Sequence, residues 1–388
     1  MANEGIAKWF GLRRSNFIID PKKDTDLYAW RADISISSMV EDLQVNLVTQ
    51  VAPKRLFWGI YGGGKTHTLF RIIKKLGELI PIYPVYAECP TVGKKSTFLH
   101  LYHDGIMASM GQDFVVNLFI ELVNSIRAGG EQLISELKNI LGDEDLARAA
   151  QPLIIADGAK KLSFWRFISG VSVPPRDLTD LGQTQALADA EPAKLADIIV
   201  VIGKILRRLR NQTLVLVLDE LDRLYTITDD AAIQSFQDAL RKLLDPPQNE
   251  VAILMGGSAV ELKNLPEVFG TTGEKAGLGP VLSRLHEKNL IEIPGIEPND
   301  FDIFVKEIIQ YIRNPQIDVN QLVAKLQPET SEVLDTIFFP FTKQAMDALK
   351  GTVSRAIITP RDITYRMTLA AGKAYLMKKP VVTQDLIV

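Results

Sequence analysis

The sequence predicts an α/β fold in which helices cover both faces of a parallel β-sheet. Five short apolar runs alternate with longer stretches of helical spacing, a pattern typical of a three-layer αβα arrangement. The third run, LVLVLD, is continuously apolar, as expected for a central strand buried on both sides. The predicted strands are Arg55–Ile60, Ile82–Glu88, Thr213–Asp219, Val251–Gly257 and Leu290–Ile293.

The pattern along the 388 residues divides the chain into three parts. Residues 1–50 are mixed in character and predict an N-terminal strap leading to the first strand. Residues 51–294 carry the strand runs, with a helical insertion at about 126–205. After Pro294 no strong strand run follows, so residues 295–388 are expected to form an all-α domain.

Composition excludes several classes of protein. Hydrophobic residues make up 46% and charged residues 23%, which excludes a disordered or fibrous chain. The formal net charge of −3 means that any nucleic acid must be bound by a local basic patch. A single cysteine, Cys89, forbids an intramolecular disulfide and suits a reducing compartment. With no signal-like or membrane-spanning run, we expect a soluble cytoplasmic protein.

A phosphate-binding loop follows the first predicted strand. Residues 59–66 read GIYGGGKT and fit the pattern G-x-x-x-x-G-K-[ST], with a helical run immediately after. Glycines let successive backbone N–H groups point at phosphates, and the helix N-terminus favours an anion. A chance match is the alternative, which the strand before and the helix after disfavour. The predicted nucleotide-contacting residues are Gly59, Gly62, Gly63, Gly64, Lys65, Thr66 and His67.

Two carboxylates end the third strand. Lys65 is expected to reach the β- and γ-phosphates, and Thr66 together with Asp219 to hold Mg²⁺. Glu220, the next residue, is placed to orient and polarise a water for attack on the γ-phosphate. The alternative is a strand end with two solvated acids. Paired with the phosphate loop, the acids indicate a nucleotide-hydrolysing site of a P-loop NTPase.

At this point the chain resembles the AAA+ ATPases, in which the glutamate directly follows the Mg²⁺ aspartate. Asp222 and Arg223, in DELDRL, extend the resemblance to the branch containing origin-recognition and transposition-regulator ATPases. The phrase WRFISG, at 165–170, faintly resembles ATP-binding proteins of bacterial anti-phage (BREX-type) systems. The resemblance covers most of residues 51–388 except the insertion. It implies ATP as the nucleotide and a C-terminal helical lid.

The resemblance implies three further site residues. Ser258, after the fourth strand, would touch the attacking water or the γ-phosphate, and a plain turn serine is the alternative. Arg284 would be an arginine finger inserted into a neighbouring subunit's nucleotide, and a salt-bridged arginine is the alternative. Arg361 resembles a lid arginine that reaches the γ-phosphate.

The residues around Arg361 also predict a helix start. Thr359 suits the N-cap, Pro360 the first helical position and Asp362 the acid of a capping box. This places Arg361 in the first turn, pointing outward.

Two weaker patterns carry alternatives. Lys94 and Lys95 lie where DNA-handling AAA+ proteins line a central pore, so the resemblance implies contact with a DNA backbone; a solvated loop is the alternative. His100, His103 and Cys89 are imaginable as a metal site, but their irregular spacing favours packing or surface roles.

These observations predict an AAA+ ATPase that binds and hydrolyses Mg-ATP between subunits of a homo-oligomeric ring or filament. The first hypothesis for its role is a DNA-associated regulator of the replication, transposition or phage-defence type, binding DNA without sequence specificity. The alternative is a nucleotide-dependent signalling switch or scaffold with slow hydrolysis and a protein partner on residues 126–205. A translocating helicase is the least favoured, because only one P-loop module is visible.

Overall fold

The structure is a computed structural model, and it describes most of the chain. The described residues are 2–27, 36–49, 51–90, 97–126, 130–155, 157–227, 229–245, 250–259, 261, 281, 284–285, 287–353 and 358–387.

Five strands and sixteen α-helices are numbered here along the described residues. The strands are β1 (Lys54–Gly59), β2 (Ile82–Glu88), β3 (Thr213–Asp219), β4 (Val251–Ser258) and β5 (Leu290–Glu292). The helices are α1 (Ala2–Phe10), α2 (Ile36–Val48), α3 (Lys65–Leu79), α4 (Phe98–His100), α5 (Ala108–Met110), α6 (Gln112–Ser125), α7 (Gly130–Leu141), α8 (Glu144–Ala150), α9 (Gly158–Ile168), α10 (Pro175–Asp180), α11 (Pro192–Arg210), α12 (Asp230–Leu244), α13 (Phe301–Ile312), α14 (Val319–Leu326), α15 (Lys343–Val353) and α16 (Pro360–Leu376).

The strands form one sheet in the order β2-β3-β4-β1-β5. The pairs β2·β3, β3·β4 and β1·β5 are parallel, so the carboxyl ends of these strands lie at the same edge within each pair. Every residue of β3 is buried, as its continuous apolar run predicts for a strand covered on both faces. The predicted architecture, a parallel sheet covered by helices with a helical insertion and C-terminal helices, is confirmed.

The contacts divide the chain into two compact units, and the predicted domain boundaries stay predictions. The sheet unit comprises Ser38–Trp58 and Ile73–Glu292. Its core joins the strands to the inserted helices, including the buried side chains of Phe164 and Phe167 in α9. Helix α11 packs so closely that a Cβ on Gly203 would lie 2.7 Å from the Glu250 carbonyl oxygen.

The helical unit comprises Met1–Ser37, Gly59–Ile72 and Ile293–Val388. Its core contains aromatic side chains from both ends of the chain, among them Phe17 of the strap and Phe341, whose ring centroids are 5.4 Å apart. The Phe17 N–H donates to Thr368 Oγ1 at 2.9 Å. Residues 2–27 of the predicted strap are therefore packed into the C-terminal helices of their own unit, a pairing that the mixed sequence does not reveal, whereas its last part, from Ser38 on, belongs to the sheet unit.

Among the described residues, no helix alone has the length and apolar character needed to cross a membrane. One bent pair, Phe98–Met110 with Gln112–Ser125, meets the length and composition criteria when taken together, with 77° between its halves.

Candidate functional site

The phosphate loop joins β1 to α3, as its motif predicts. Gly62 and Gly64 have φ of +76° and +96°, a region that L side chains rarely adopt. A Cβ on Gly59 would lie 2.2 Å from the Ile293 carbonyl oxygen, and one on Gly63 would lie 2.9 Å from the Ile60 carbonyl oxygen. The backbone path of this loop therefore requires glycine at these four positions.

Lys65 is held within the loop that precedes it. Its side chain is buried, and Nζ donates to the carbonyl oxygens of Gly59 and Ile60 at 3.2 and 2.9 Å. The loop is closed by the Gly63 N–H, which donates to the Ile60 carbonyl at 3.1 Å. Thr66 follows as a half-buried residue in the first turn of α3. A cation and a helix N-terminus thus lie together at a glycine-rich turn, which is the chemistry of an anion site.

His67 contacts the strap. Its Nε2 lies 3.0 Å from the Asp24 carbonyl oxygen, and one turn later Arg71 Nη1 donates to the Thr25 carbonyl at 2.8 Å. Burial lowers the pKa of the His67 imidazole, so the ring is neutral at pH 7 and donates from Nε2. The structure therefore assigns the His67 ring a strap contact, and its predicted nucleotide contact stays a prediction.

Asp219 ends β3 as a buried carboxylate with two donors. Its Oδ1 accepts from the Glu220 N–H at 2.8 Å, and its Oδ2 accepts from the Tyr86 phenol at 3.0 Å. The same phenol lies 3.1 Å from Glu88 Oε1. Burial and the two carboxylates raise the pKa of the Tyr86 phenol, so it remains a protonated donor. Tyr86 thus fixes one oxygen of the predicted magnesium ligand.

Glu220 has a strained backbone and a charged partner. Its φ of 56° and ψ of 40° place it in the left-handed region, which costs a non-glycine residue on the order of 1 kcal/mol. Its carboxylate forms an ion pair with Arg223. Arg223 also donates to the Cys89 carbonyl at 3.0 Å and lies 3.6 Å from Glu88. The predicted water-orienting carboxylate is therefore held against an arginine of its own unit.

The sequence does not assign these roles to Tyr86 and Arg223. Glu88 lies opposite Asp219 in the β2·β3 register, which also sets Tyr86 two residues back on the same face. The signal in the sequence is the alternation of apolar and polar residues in VYAE, residues 85–88. This alternation identifies Tyr86 as a partner of Asp219 only once β3 is known to be the strand next to β2.

The remaining predicted residues of the sheet unit have their own contacts. Ser258 is the last residue of β4, and its N–H donates to Asp222 Oδ1 at 2.8 Å. Arg284 forms an ion pair with Asp245 at the end of α12, which is the salt-bridged arrangement of the alternative interpretation. The finger role of Arg284 and the nucleotide role of Ser258 stay predictions. Lys94 and Lys95 lie outside the described residues.

The side chains of His100, His103 and Cys89 are engaged in backbone contacts and in packing. His103 Nδ1 lies 3.1 Å from the Ser169 carbonyl oxygen, and His100 Nδ1 accepts from the Thr97 N–H at 3.1 Å. Cys89 is fully buried, and burial raises the pKa of its thiol. Within the described ranges, no group of three or more His, Cys, Asp or Glu side chains is arranged to hold a metal ion.

The start of α16 in the helical unit is built as the sequence predicts. The Asp362 N–H donates to Thr359 Oγ1 at 3.2 Å, and the Thr359 N–H donates to Asp362 Oδ2 at 3.2 Å, so the capping box is confirmed. Arg361, exposed in the first turn, lies over the Tyr61 ring at 4.7 Å. A residue of the first turn of α16 and a residue of the phosphate loop are therefore in contact.

Comparisons with known proteins give distant structural likenesses. No family model matches the chain, and no curated protein does. The Aeropyrum pernix ORC1 protein, solved in complex with DNA, is 13% identical over 94% of this chain and 65% of its own, with a TM-score of 0.47. This chain thus spans just under two thirds of that protein's length. The Aeropyrum pernix ORC2 protein (ADPNP–ADP complexes) is 9% identical over 92% of this chain and 67% of its own, with a TM-score of 0.47. CDC6p from Pyrobaculum aerophilum is 9% identical over 94% of this chain and 68% of its own, with a TM-score of 0.43. The chain is similar in structure to these archaeal ORC and CDC6 proteins.

Proposed function

We propose that this chain binds Mg-ATP through the phosphate loop and hydrolyses it. The observation that carries the proposal is the loop itself, where glycines forced by backbone geometry precede a buried Lys65 at the start of α3. This arrangement fits the phosphates of a nucleotide, because backbone N–H groups, a helix N-terminus and an ammonium all favour an anion.

The two residues that the motifs assign to Mg²⁺ both supply oxygen donors, the ligands that this ion prefers. Thr66 offers a hydroxyl, and Asp219 offers a carboxylate whose Oδ2 is held by Tyr86. When bound, the metal would neutralise phosphate charge. Glu220 would accept a proton from the attacking water once its carboxylate leaves Arg223. Lys65 would bind and orient the phosphates.

We further propose that the chain works as a DNA-associated AAA+ regulator in a homo-oligomer, with Arg284 acting on a neighbouring subunit's nucleotide. The sequence resemblance at DELDRL supports this proposal. In that case Arg284 must exchange Asp245 for a phosphate on assembly. Lys94 and Lys95, repeated around a ring, would supply a phosphate track although the whole chain is acidic.

The direct test is turnover of ATP and GTP by the purified protein, alone and with double-stranded or single-stranded DNA. We expect ATP turnover that DNA stimulates, and a Lys94→Glu/Lys95→Glu variant that keeps basal turnover but loses the stimulation. Lys160→Glu/Lys161→Glu, another lysine pair, serves as the matched control. Stimulation that survives in the Lys94→Glu/Lys95→Glu variant would remove the DNA track from the proposal.

A second function, a nucleotide-dependent switch acting on a protein, is favoured by two observations. Glu220 is restrained by Arg223, which suits slow hydrolysis. The insertion also exposes apolar side chains, with Ile154 at 49% and Ile155 at 68%. This function predicts turnover indifferent to DNA, and loss of partner binding in an Ile154→Ser/Ile155→Ser variant with unchanged turnover.

The contact between Tyr86 and Asp219 gives a separate prediction about magnesium. Tyr86→Phe removes the donor that orients Asp219 Oδ2, and the loss of such an outer partner costs about 10-fold or more in metal affinity. We expect the Mg²⁺ concentration for half-maximal turnover to rise by about 10-fold. Tyr83→Phe is the matched control, since that ring lies on the same strand and stacks on Phe114. Equal Mg²⁺ dependence of the two variants would show that Tyr86 does not position the metal ligand.

A further inference from the structure

The phosphate loop carries an aromatic side chain, Tyr61, that is not packed into a hydrophobic core. Tyr61 is 70% exposed, although it lies between the buried strand β1 and the glycine-rich turn. The Arg361 guanidinium carbon is 4.7 Å from the centroid of its ring, within the range of a cation–π contact. An exposed tyrosine therefore faces the cation that the sequence places at the start of α16.

The position of Arg361 is fixed by its backbone as well as by this cation–π contact. The capping box holds the first turn of α16, and Thr359 is buried. A Cβ on Gly62 would lie 3.0 Å from Thr359 Oγ1 and 3.4 Å from Arg361 Cβ. The first turn of α16 therefore lies directly against the phosphate loop of its own unit. With the backbone held there, the conformation of the Arg361 side chain beyond Cβ is what the Tyr61 ring can restrict.

A guanidinium contacts an aromatic ring and donates hydrogen bonds through different parts of its surface. A ring contacts its flat face, whereas its N–H groups point outward in the plane. A guanidinium held over the Tyr61 ring therefore keeps N–H groups with which it can donate hydrogen bonds to phosphate oxygens. An unrestrained arginine would lose side-chain entropy on binding the anion, and the ring reduces that cost in advance.

We propose that Tyr61 is a positioning residue that holds the Arg361 guanidinium beside the phosphate loop, so that its N–H edge meets the phosphates of a bound nucleotide. This inference rests on the proposed nucleotide binding. Tyr61 acts through Arg361 and makes no catalytic contact itself. In this arrangement two cations would face the bound phosphates, Lys65 at the start of α3 and Arg361 in the first turn of α16.

The test is a double-mutant cycle on ATP affinity, measured by calorimetry with the full chain and Mg²⁺. A cation–π contact at an exposed site corresponds to about a 2- to 5-fold change in affinity. We expect Tyr61→Ala to weaken ATP binding by that factor and Tyr61→Phe, which keeps the ring, to bind as the wild type does. In an Arg361→Ala background, Tyr61→Ala is expected to have no further effect.

A matched control is Tyr365→Ala, which removes another exposed tyrosine, 54% accessible, from α16 itself. We expect its ATP affinity to be unchanged. An equal loss from Tyr61→Ala with and without Arg361, or unchanged affinity in Tyr61→Ala, overturns the inference while nucleotide binding stands. A wild-type protein that binds no nucleotide, or binds it equally after Lys65→Ala, overturns the proposed function and this inference with it.

Discussion

Replacing Lys65 by alanine is expected to weaken nucleotide binding by about 10- to 100-fold. The ammonium is buried in the loop and held by the carbonyl oxygens of Gly59 and Ile60, so it cannot be replaced by a neighbouring side chain without moving the turn. A hydrogen bond to a charged group contributes about 1.5–3 kcal/mol, which is on the order of a 10- to 100-fold loss of affinity.

Thermal unfolding with and without ATP measures this loss. At a ligand concentration of 100 times Kd, a protein that binds only when folded gains about 2.7 kcal/mol of stability. We expect that gain in the wild type and only about 0.4–1.4 kcal/mol in Lys65→Ala, which is what a 10- to 100-fold weaker Kd leaves at the same ATP concentration. Lys75→Ala is the matched control, because this lysine lies on the same helix and pairs with Glu78 at 2.7 Å. Undiminished ATP stabilisation in Lys65→Ala would contradict a phosphate role for the loop.

The sheet follows from the sequence because each strand is a short apolar run with a clear end. The predicted bounds of β2 and β3 match the structure. Strand β1 lies one residue earlier than predicted at both ends, and β4 and β5 each differ from the prediction by one residue at the C-terminal end. Local rules also suffice for the start of α16, where Thr359 and Asp362 form the predicted box. These features depend only on residues close in the chain.

The contacts that the sequence does not reveal join residues far apart in the chain. Tyr86 meets Asp219 because β2 lies beside β3 in the sheet, although 133 residues separate the two side chains. Tyr61 meets Arg361 because the start of α16 packs against Gly62. The sequence motifs identify the phosphate loop and the two acids. Which side chains contact and position them can be known only from the strand order and the packing.

The contacts of the strap are likewise between residues far apart in the chain. Its residues 1–27 carry no periodic pattern that names a partner, yet the Asp24 carboxylate accepts from Arg14 at 2.7 Å and from the Tyr311 phenol at 3.2 Å. The Asp24 carbonyl meanwhile accepts from His67. One buried residue thus ties the strap to α13 and to the first turn of α3. A single sequence gives no indication of a contact over that separation.

Replacing Glu220 by glutamine is expected to stop hydrolysis while leaving ATP bound. The amide is close in shape to the carboxylate but cannot accept the proton of an attacking water at neutral pH. General-base assistance contributes about 10²- to 10⁴-fold, so turnover should fall by that factor. The lost ion pair with Arg223 costs little stability, since both side chains are about a third exposed and such pairs contribute about 0–1 kcal/mol.

Two comparison variants separate the loss of a base from the loss of a charge beside Arg223. Glu88→Gln removes the other carboxylate near Arg223, 3.6 Å away, and is expected to retain most of the turnover. Arg223→Ala releases Glu220 and is expected to leave turnover unchanged or raise it, because the ion pair restrains the base before catalysis. Turnover and ATP affinity are measured for all three variants.

If Glu220→Gln kept wild-type turnover, or if Glu88→Gln lost as much turnover as Glu220→Gln, Glu220 would not be the base. If Arg223→Ala lost turnover as fully as Glu220→Gln, the arginine would be part of the working site, and the pair would orient Glu220 for attack instead of restraining it.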